Sequence, residues 1–165
     1  MNYSSADVAA YLIDKLEERF DNLVLSCADR NPLIEEGEYD AIVLSCRKER
    51  RFRRDLLAFK FRIVSQGSAF GLVLPAYCNC DFTHDRRRQV PSRSKLGVWL
   101  RKINDFAPEV SIKRVHLNTF SKFQFLVRVA TSTGTKEHPL PQWERYSQVV
   151  EIIDVVGRIS KGAEG

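Results

Sequence analysis

The sequence predicts a mainly β fold: a five-stranded Greek-key barrel with one helix before it and another between its third and fourth strands. Two observations support this prediction. Five segments alternate apolar and polar residues or are rich in β-branched and aromatic residues, as strands are. Two other segments repeat apolar residues at helical spacing. The length of 165 residues suits one domain with a core of its own.

The N-terminal segment predicts an amphipathic helix over residues 5–20. Ser4 or Ser5 suits the N-cap position of this helix. Apolar side chains then recur every four residues, at Val8, Leu12, Leu16 and Phe20. We expect residues 1–36 to form this helix and an acidic lead-in to the barrel.

Three strand segments follow the lead-in, at residues 38–46, 55–64 and 70–78. The second alternates most sharply, because one of its faces carries only Leu57, Phe59, Phe61 and Ile63. Pro75 lacks a backbone N–H, so the third strand is expected at a sheet edge, or to leave the sheet in its later half.

The second half of the chain predicts a helix at about 93–104 and strands at 123–133 and 146–156. The helix carries an apolar stripe of Leu96, Trp99, Leu100 and Ile103. Residues 103–122 receive no clear assignment. A three-strand meander, a helix and a hairpin, in this order, are the succession of an OB-type barrel. This barrel is expected over residues 37–157, with a tail at 158–165.

Charge is unevenly distributed along the chain. Residues 1–45 hold 3 Lys or Arg against 10 Asp or Glu, residues 46–102 hold 15 against 4, and residues 103–165 hold 8 against 7. The cationic middle segment indicates a polyanionic partner. No apolar run reaches the ~18 residues of a membrane span, and no signal peptide is recognisable. We therefore expect a cytoplasmic protein with reduced cysteines and no membrane partner.

A resemblance supports the fold and extends it to function. The runs EGEYDAIVLSC, FKFRIVSQGSAFGLVLPAYCN and SKLGVWLRKI resemble the layout of OB-type single-stranded-DNA-binding proteins of phages and mobile elements. The resemblance covers roughly residues 37–130. It implies a role in replication, repair or recombination, with the loops after strands 1 and 4 flanking the binding face.

The run CRKERRFRRD (46–55) is the first of those loops in this interpretation, and it also continues the two strands that make up the binding face. It holds six cations, Arg47, Lys48, Arg50, Arg51, Arg53 and Arg54, which we expect to clamp a phosphate backbone. The cations predicted to line or extend the groove are Lys60, Arg62, Arg128, Arg86, Arg87 and Arg88. Phe52 and Tyr39 are the candidate rings for base stacking. The strand phenylalanines Phe59, Phe61, Phe123 and Phe125 are expected in the core.

Several alternatives stay open at this point. The basic run also fits a solvated hairpin tip. Cys78, Cys80 and His84 fit a zinc site only weakly, because zinc-binding cysteine pairs are usually spaced more widely and no second pair follows, so no cofactor is expected. No phosphate-binding glycine loop or nucleophile motif indicates an enzyme. The rival function is a protein-interaction adaptor or inhibitor that uses the acidic N-terminal helix and the basic loops.

Overall fold

The chain divides into two compact units, Met1–Arg30 and Asn31–Gly165. The computed structural model describes residues 31–51, 53–80 and 89–160, all of them in the second unit. The elements are β1 (Gly37–Arg51), β2 (Arg54–Ile63), β3 (Val73–Asn79), α1 (Lys95–Phe106), β4 (Phe123–Ser132) and β5 (Tyr146–Arg158). Short 3-10 helices occupy Leu117–Lys122 and Gln142–Glu144. The helix predicted at 5–20 lies outside the described residues.

The five strands form one antiparallel sheet in the order β3-β2-β1-β4-β5. The prediction of a mainly β fold is confirmed. The edge strands β3 and β5 contact each other, but no ladder of hydrogen bonds joins them within the described ranges. The sheet is therefore not closed, where the sequence predicted a barrel. Pro75 lies in β3, which is an edge strand as predicted, and it has no N–H to offer to a closing ladder.

An aromatic cluster fills the core side of the sheet. Trp99 of α1 packs edge-on against Phe59, Phe61 and Phe120, with ring centroids 5.6, 6.0 and 6.4 Å away. Edge-to-face contacts at such distances suit aromatic rings. The predicted core positions of the four strand phenylalanines are confirmed, since none is more than 2% exposed.

Helix α1 begins after Ser94, whose side-chain oxygen accepts a hydrogen bond from the Gly97 backbone N–H at 3.1 Å. This N-cap satisfies one of the free donors of the first turn. The predicted apolar stripe of α1 is buried. Among the described helices, none is long and apolar enough to span a bilayer.

Strand β1 is longer than any of its partners and carries the sheet beyond β4. It pairs with β4 over Gly37–Ile42, and with β2 over Ala41–Arg51. The register with β2 shifts between Val43 and Ser45, where a bulge bends the strand. Among the described strands, the distal half of β1 therefore pairs with β2 and not with β4.

Gly97 is expected to be required for the close packing of α1 against the backbone at Pro91. A Cβ at this position would lie 2.2 Å from the Pro91 carbonyl oxygen, and backbone atoms cannot rotate out of the way. Alanine is the better helix former, by about 1 kcal/mol. The clash outweighs this gain, so we expect Gly97→Ala to lower the free energy of unfolding by about 1–3 kcal/mol in a urea titration followed by circular dichroism.

Gly157→Ala is the matched control for this prediction. A Cβ at Gly157 in β5 meets nothing within 4 Å, so the same chemical change introduces no clash there. Equal stability of the two variants would show that the contact between Pro91 and α1 does not hold the helix in place.

Candidate nucleic-acid interface

The basic run is mostly strand rather than loop. Arg47–Arg51 belong to β1 and pair with the start of β2, from Arg47 opposite Ala58 to Arg51 opposite Arg54. The prediction of a loop is therefore wrong for Arg47–Arg51, whereas the expectation that the run continues both strands is confirmed. Continued cross-strand pairing fixes the direction of each side chain, because successive residues of a strand point to opposite faces.

This alternation divides the six cations between two faces of the sheet. Lys48 and Arg50 share the face of the buried Asp55 and Leu57, and Lys48 Nζ lies 3.4 Å from an Asp55 carboxylate oxygen. Arg47, Arg51 and Arg54 lie on the opposite face. The strands therefore do not bring all six residues together into a single clamp.

We call the sheet face opposite Phe59 and Phe61 the outer face. Five cations of β1 and β2 lie on it and form the outer-face stripe, which consists of Arg47, Arg51, Arg54, Lys60 and Arg62. The stripe extends about 27 Å along β2 at the usual strand rise. Lys60 and Arg62, predicted from alternation alone, thus join part of the basic run on one surface.

The connection between β1 and β2 is an unusual place for arginine. Arg53 has a φ of 62°, in the left-handed region that favours Gly or Asn. An arginine here costs about 1–2 kcal/mol of backbone strain. Stability alone does not explain the choice of this residue.

Arg128 also lies on the outer face, but carboxylates surround it. Its guanidinium lies 2.8 Å from Glu151 on β5 and 3.5 Å from Glu38 on β1. Both neighbours are cross-strand partners of Arg128 in the ladders. The predicted groove cation is therefore neutralised in place, and it lies opposite the start of β1, whereas the stripe residues of β1 lie at its distal end.

Tyr39 lies apart from the cations of the outer face. It pairs with Val127, so it is on the core side of β1, where it is half-buried against the core. Its hydroxyl donates a hydrogen bond of 2.7 Å to the Glu35 carbonyl oxygen. This arrangement favours packing over base stacking.

Tyr77 of β3 is an outer-face ring that the sequence did not single out. It pairs with Ala58, which in turn pairs with Arg47, so all three lie in one row across the strands. Arg51 Nη1 donates a hydrogen bond of 3.0 Å to the Tyr77 hydroxyl, and the guanidinium carbon lies 4.9 Å from the ring centroid. Burial raises the pKa of the Tyr77 phenol, and Arg51 partly offsets this shift. The proximity of Tyr77 to Arg47 and Arg51 follows only from the register between the strands and could not be predicted from the sequence.

The candidate zinc ligands Cys78 and Cys80 are buried, and Cys46 is partly buried. Burial raises the pKa of Cys46 and of Cys78 to about 12, although nearby Lys95 partly lowers the latter. Both thiols are therefore protonated at neutral pH when no metal is bound, and a metal would have to displace these protons. No group of three or more ligand residues suits a metal ion in the part of the chain that the structure describes.

The remaining predicted site residues lie outside the described ranges: Phe52, Arg86, Arg87 and Arg88, and the zinc candidate His84. Comparisons with family models, curated proteins and solved structures give no match to the chain. The site is therefore argued from the geometry of this sheet alone.

Proposed function

We propose that this protein is a non-enzymatic module that binds single-stranded nucleic acid, DNA in the first instance, across the outer face of an OB-like sheet. The order of the strands and the helix between β3 and β4 are the features that support the OB-like description. A role in replication, repair or recombination of a phage or plasmid-like element is part of the proposal, because the sequence resemblance implies it, and a cytoplasmic location is proposed because no export signal is recognisable.

The observation that carries the proposal is a row of cations that have no counter-ion among the described residues. Arg47, Arg54, Lys60 and Arg62 form no ion pair with any described residue. All four are exposed and share one face. Phosphates bound along this face would release condensed counter-ions, which is the main source of affinity for nucleic acid.

Two local costs are consistent with a binding role. Arg51 and Arg54 are directly opposite each other in the ladder, and like charges in such a pair destabilise a sheet. Arg53 adds a left-handed backbone at the same end of the hairpin. A polyanion on the outer face would offset the repulsion, and functional sites are where such strain is retained.

The width of the sheet favours a single strand over a duplex. Lys60 and Arg62 lie on β2 and are flanked by β1 on one side and β3 on the other. The major groove of DNA admits a helix or a two-stranded ribbon, so a three-stranded surface does not enter it. A flexible single strand can follow the stripe and turn its bases toward the sheet.

The test is fluorescence anisotropy with labelled single-stranded and duplex DNA of about 16 nucleotides, the upper end of OB-type site sizes. We expect salt-sensitive binding with a clear preference for the single strand. An absence of binding at low salt, or tighter binding of the duplex, would overturn the proposal. Single-stranded RNA of the same sequence serves as the comparison for nucleic-acid type.

The rival function as a protein adaptor depends on the acidic N-terminal segment. That segment lies outside the described residues, so no described contact favours this function. Deletion of residues 1–22 separates the two proposals, because nucleic-acid binding through the outer face is expected to survive it.

A further inference from the structure

Two tyrosine rings lie on the outer face, one on each edge strand of the sheet. Tyr77 is on β3, in the row of Arg47, and Tyr146 opens β5 opposite Ser132 of β4. The intervening Ser147 is fully buried, so Tyr146 points to the opposite, outer side. Both rings are half-buried, so each has a fixed position and an accessible part.

The rings come from the two edge strands that contact each other. β3 and β5 contact each other, and each of them carries one of the rings on its outer side. Neighbouring rings on one face provide adjacent platforms for planar groups. Stacking on such rings tolerates any base, because every base has a π-face.

A planar group already lies against one of these rings. The Arg51 guanidinium is 4.9 Å from the Tyr77 centroid, within the range of a cation–π contact. Glu49 holds the same guanidinium through an ion pair of 3.0 Å. A planar group therefore already occupies one face of the ring, and this group is a cation that also suits phosphate.

We infer that Tyr77 and Tyr146 form a stacking site for the bases of a single strand, with Tyr77 as its principal ring. This inference rests on the proposed function and adds base contacts to the phosphate contacts of the outer-face stripe. A base takes the place of the guanidinium over Tyr77, and Arg51 turns to a neighbouring phosphate. The nucleic-acid strand is then bound through its phosphates along β2 and through its bases where β3 and β5 contact each other.

The test compares two labelled strands of equal length and charge, an oligothymidylate and an abasic strand. Tyr77→Leu is expected to weaken binding of the oligothymidylate by about 5- to 150-fold, the range for loss of one stacked base. Tyr146→Leu should weaken it to a smaller extent. Neither variant should change the affinity for the abasic strand, which offers phosphates alone. Tyr77→Phe keeps the ring and should bind as the wild type does.

Phe70→Leu is the matched control, because Phe70 is an exposed ring outside the strands. A Tyr77→Leu protein that loses affinity for both strands equally, or no more than Phe70→Leu, overturns the inference. Wild-type binding that is equal for both strands overturns it too, while the proposed function stands. Failure of the wild type to bind either strand overturns both. Thermal unfolding of each variant identifies any loss that comes from misfolding.

Discussion

Replacement of Trp99 by alanine is expected to lower the free energy of unfolding by about 3–5 kcal/mol. Trp99 is only 1% exposed and contacts the rings of Phe59, Phe61 and Phe120. The Lys95 ammonium also lies over this ring, 5.0 Å from the ring centroid. The variant therefore leaves a large cavity between α1 and the sheet and removes the main contact that holds the helix there.

Urea unfolding followed by circular dichroism measures this effect. Phe70→Ala provides the control, because Phe70 is 63% exposed and its loss should change stability by about 0.5 kcal/mol or less. If Trp99→Ala were no less stable than Phe70→Ala, α1 would not be anchored through the aromatic cluster. A lower unfolding slope in Trp99→Ala would also indicate a less compact native state.

The second large effect is expected from the outer face. Replacement of Arg47, Lys60 and Arg62 by alanine removes three exposed cations from the outer-face stripe. Each phosphate contact to a single strand contributes about −0.7 to the slope of log affinity against log salt, so three contacts correspond to about 100-fold in affinity at 0.1 M salt. Stability should change little, because none of the three side chains is buried.

The matched control removes the same charge from another surface. Lys113, Arg114 and Lys122 are exposed and lie between α1 and β4. Their replacement by alanine changes the net charge equally but leaves the outer-face stripe intact. We expect a much smaller loss of affinity, from the weaker long-range field alone.

Strand and helix types were predictable because alternation and helical spacing report burial directly. Phe59 and Phe61 in β2, and Trp99 in α1, occupy the faces that their spacing predicts. The end of β1 was not predictable in this way. Arg47–Arg51 carry no apolar alternation, and only pairing with β2 keeps them extended.

The site was predictable in part for the same reason. Lys60 and Arg62 follow from the alternation of β2, whereas the split of the basic run depends on the bulge between Val43 and Ser45. Tyr77 and the neutralisation of Arg128 depend on strand register, which pairs residues far apart in the chain. Local sequence patterns carry no information on such pairs.

The salt slope of single-strand binding tests the central claim most directly, because it counts phosphate contacts independently of base stacking. This slope is measured by anisotropy titrations at several salt concentrations. The titrations compare the wild type with the two triple variants. The account predicts a slope shallower by about 2 for the outer-face variant and unchanged for the control. Equal slopes for wild type and outer-face variant would contradict the claim that Arg47, Lys60 and Arg62 bind the phosphate backbone.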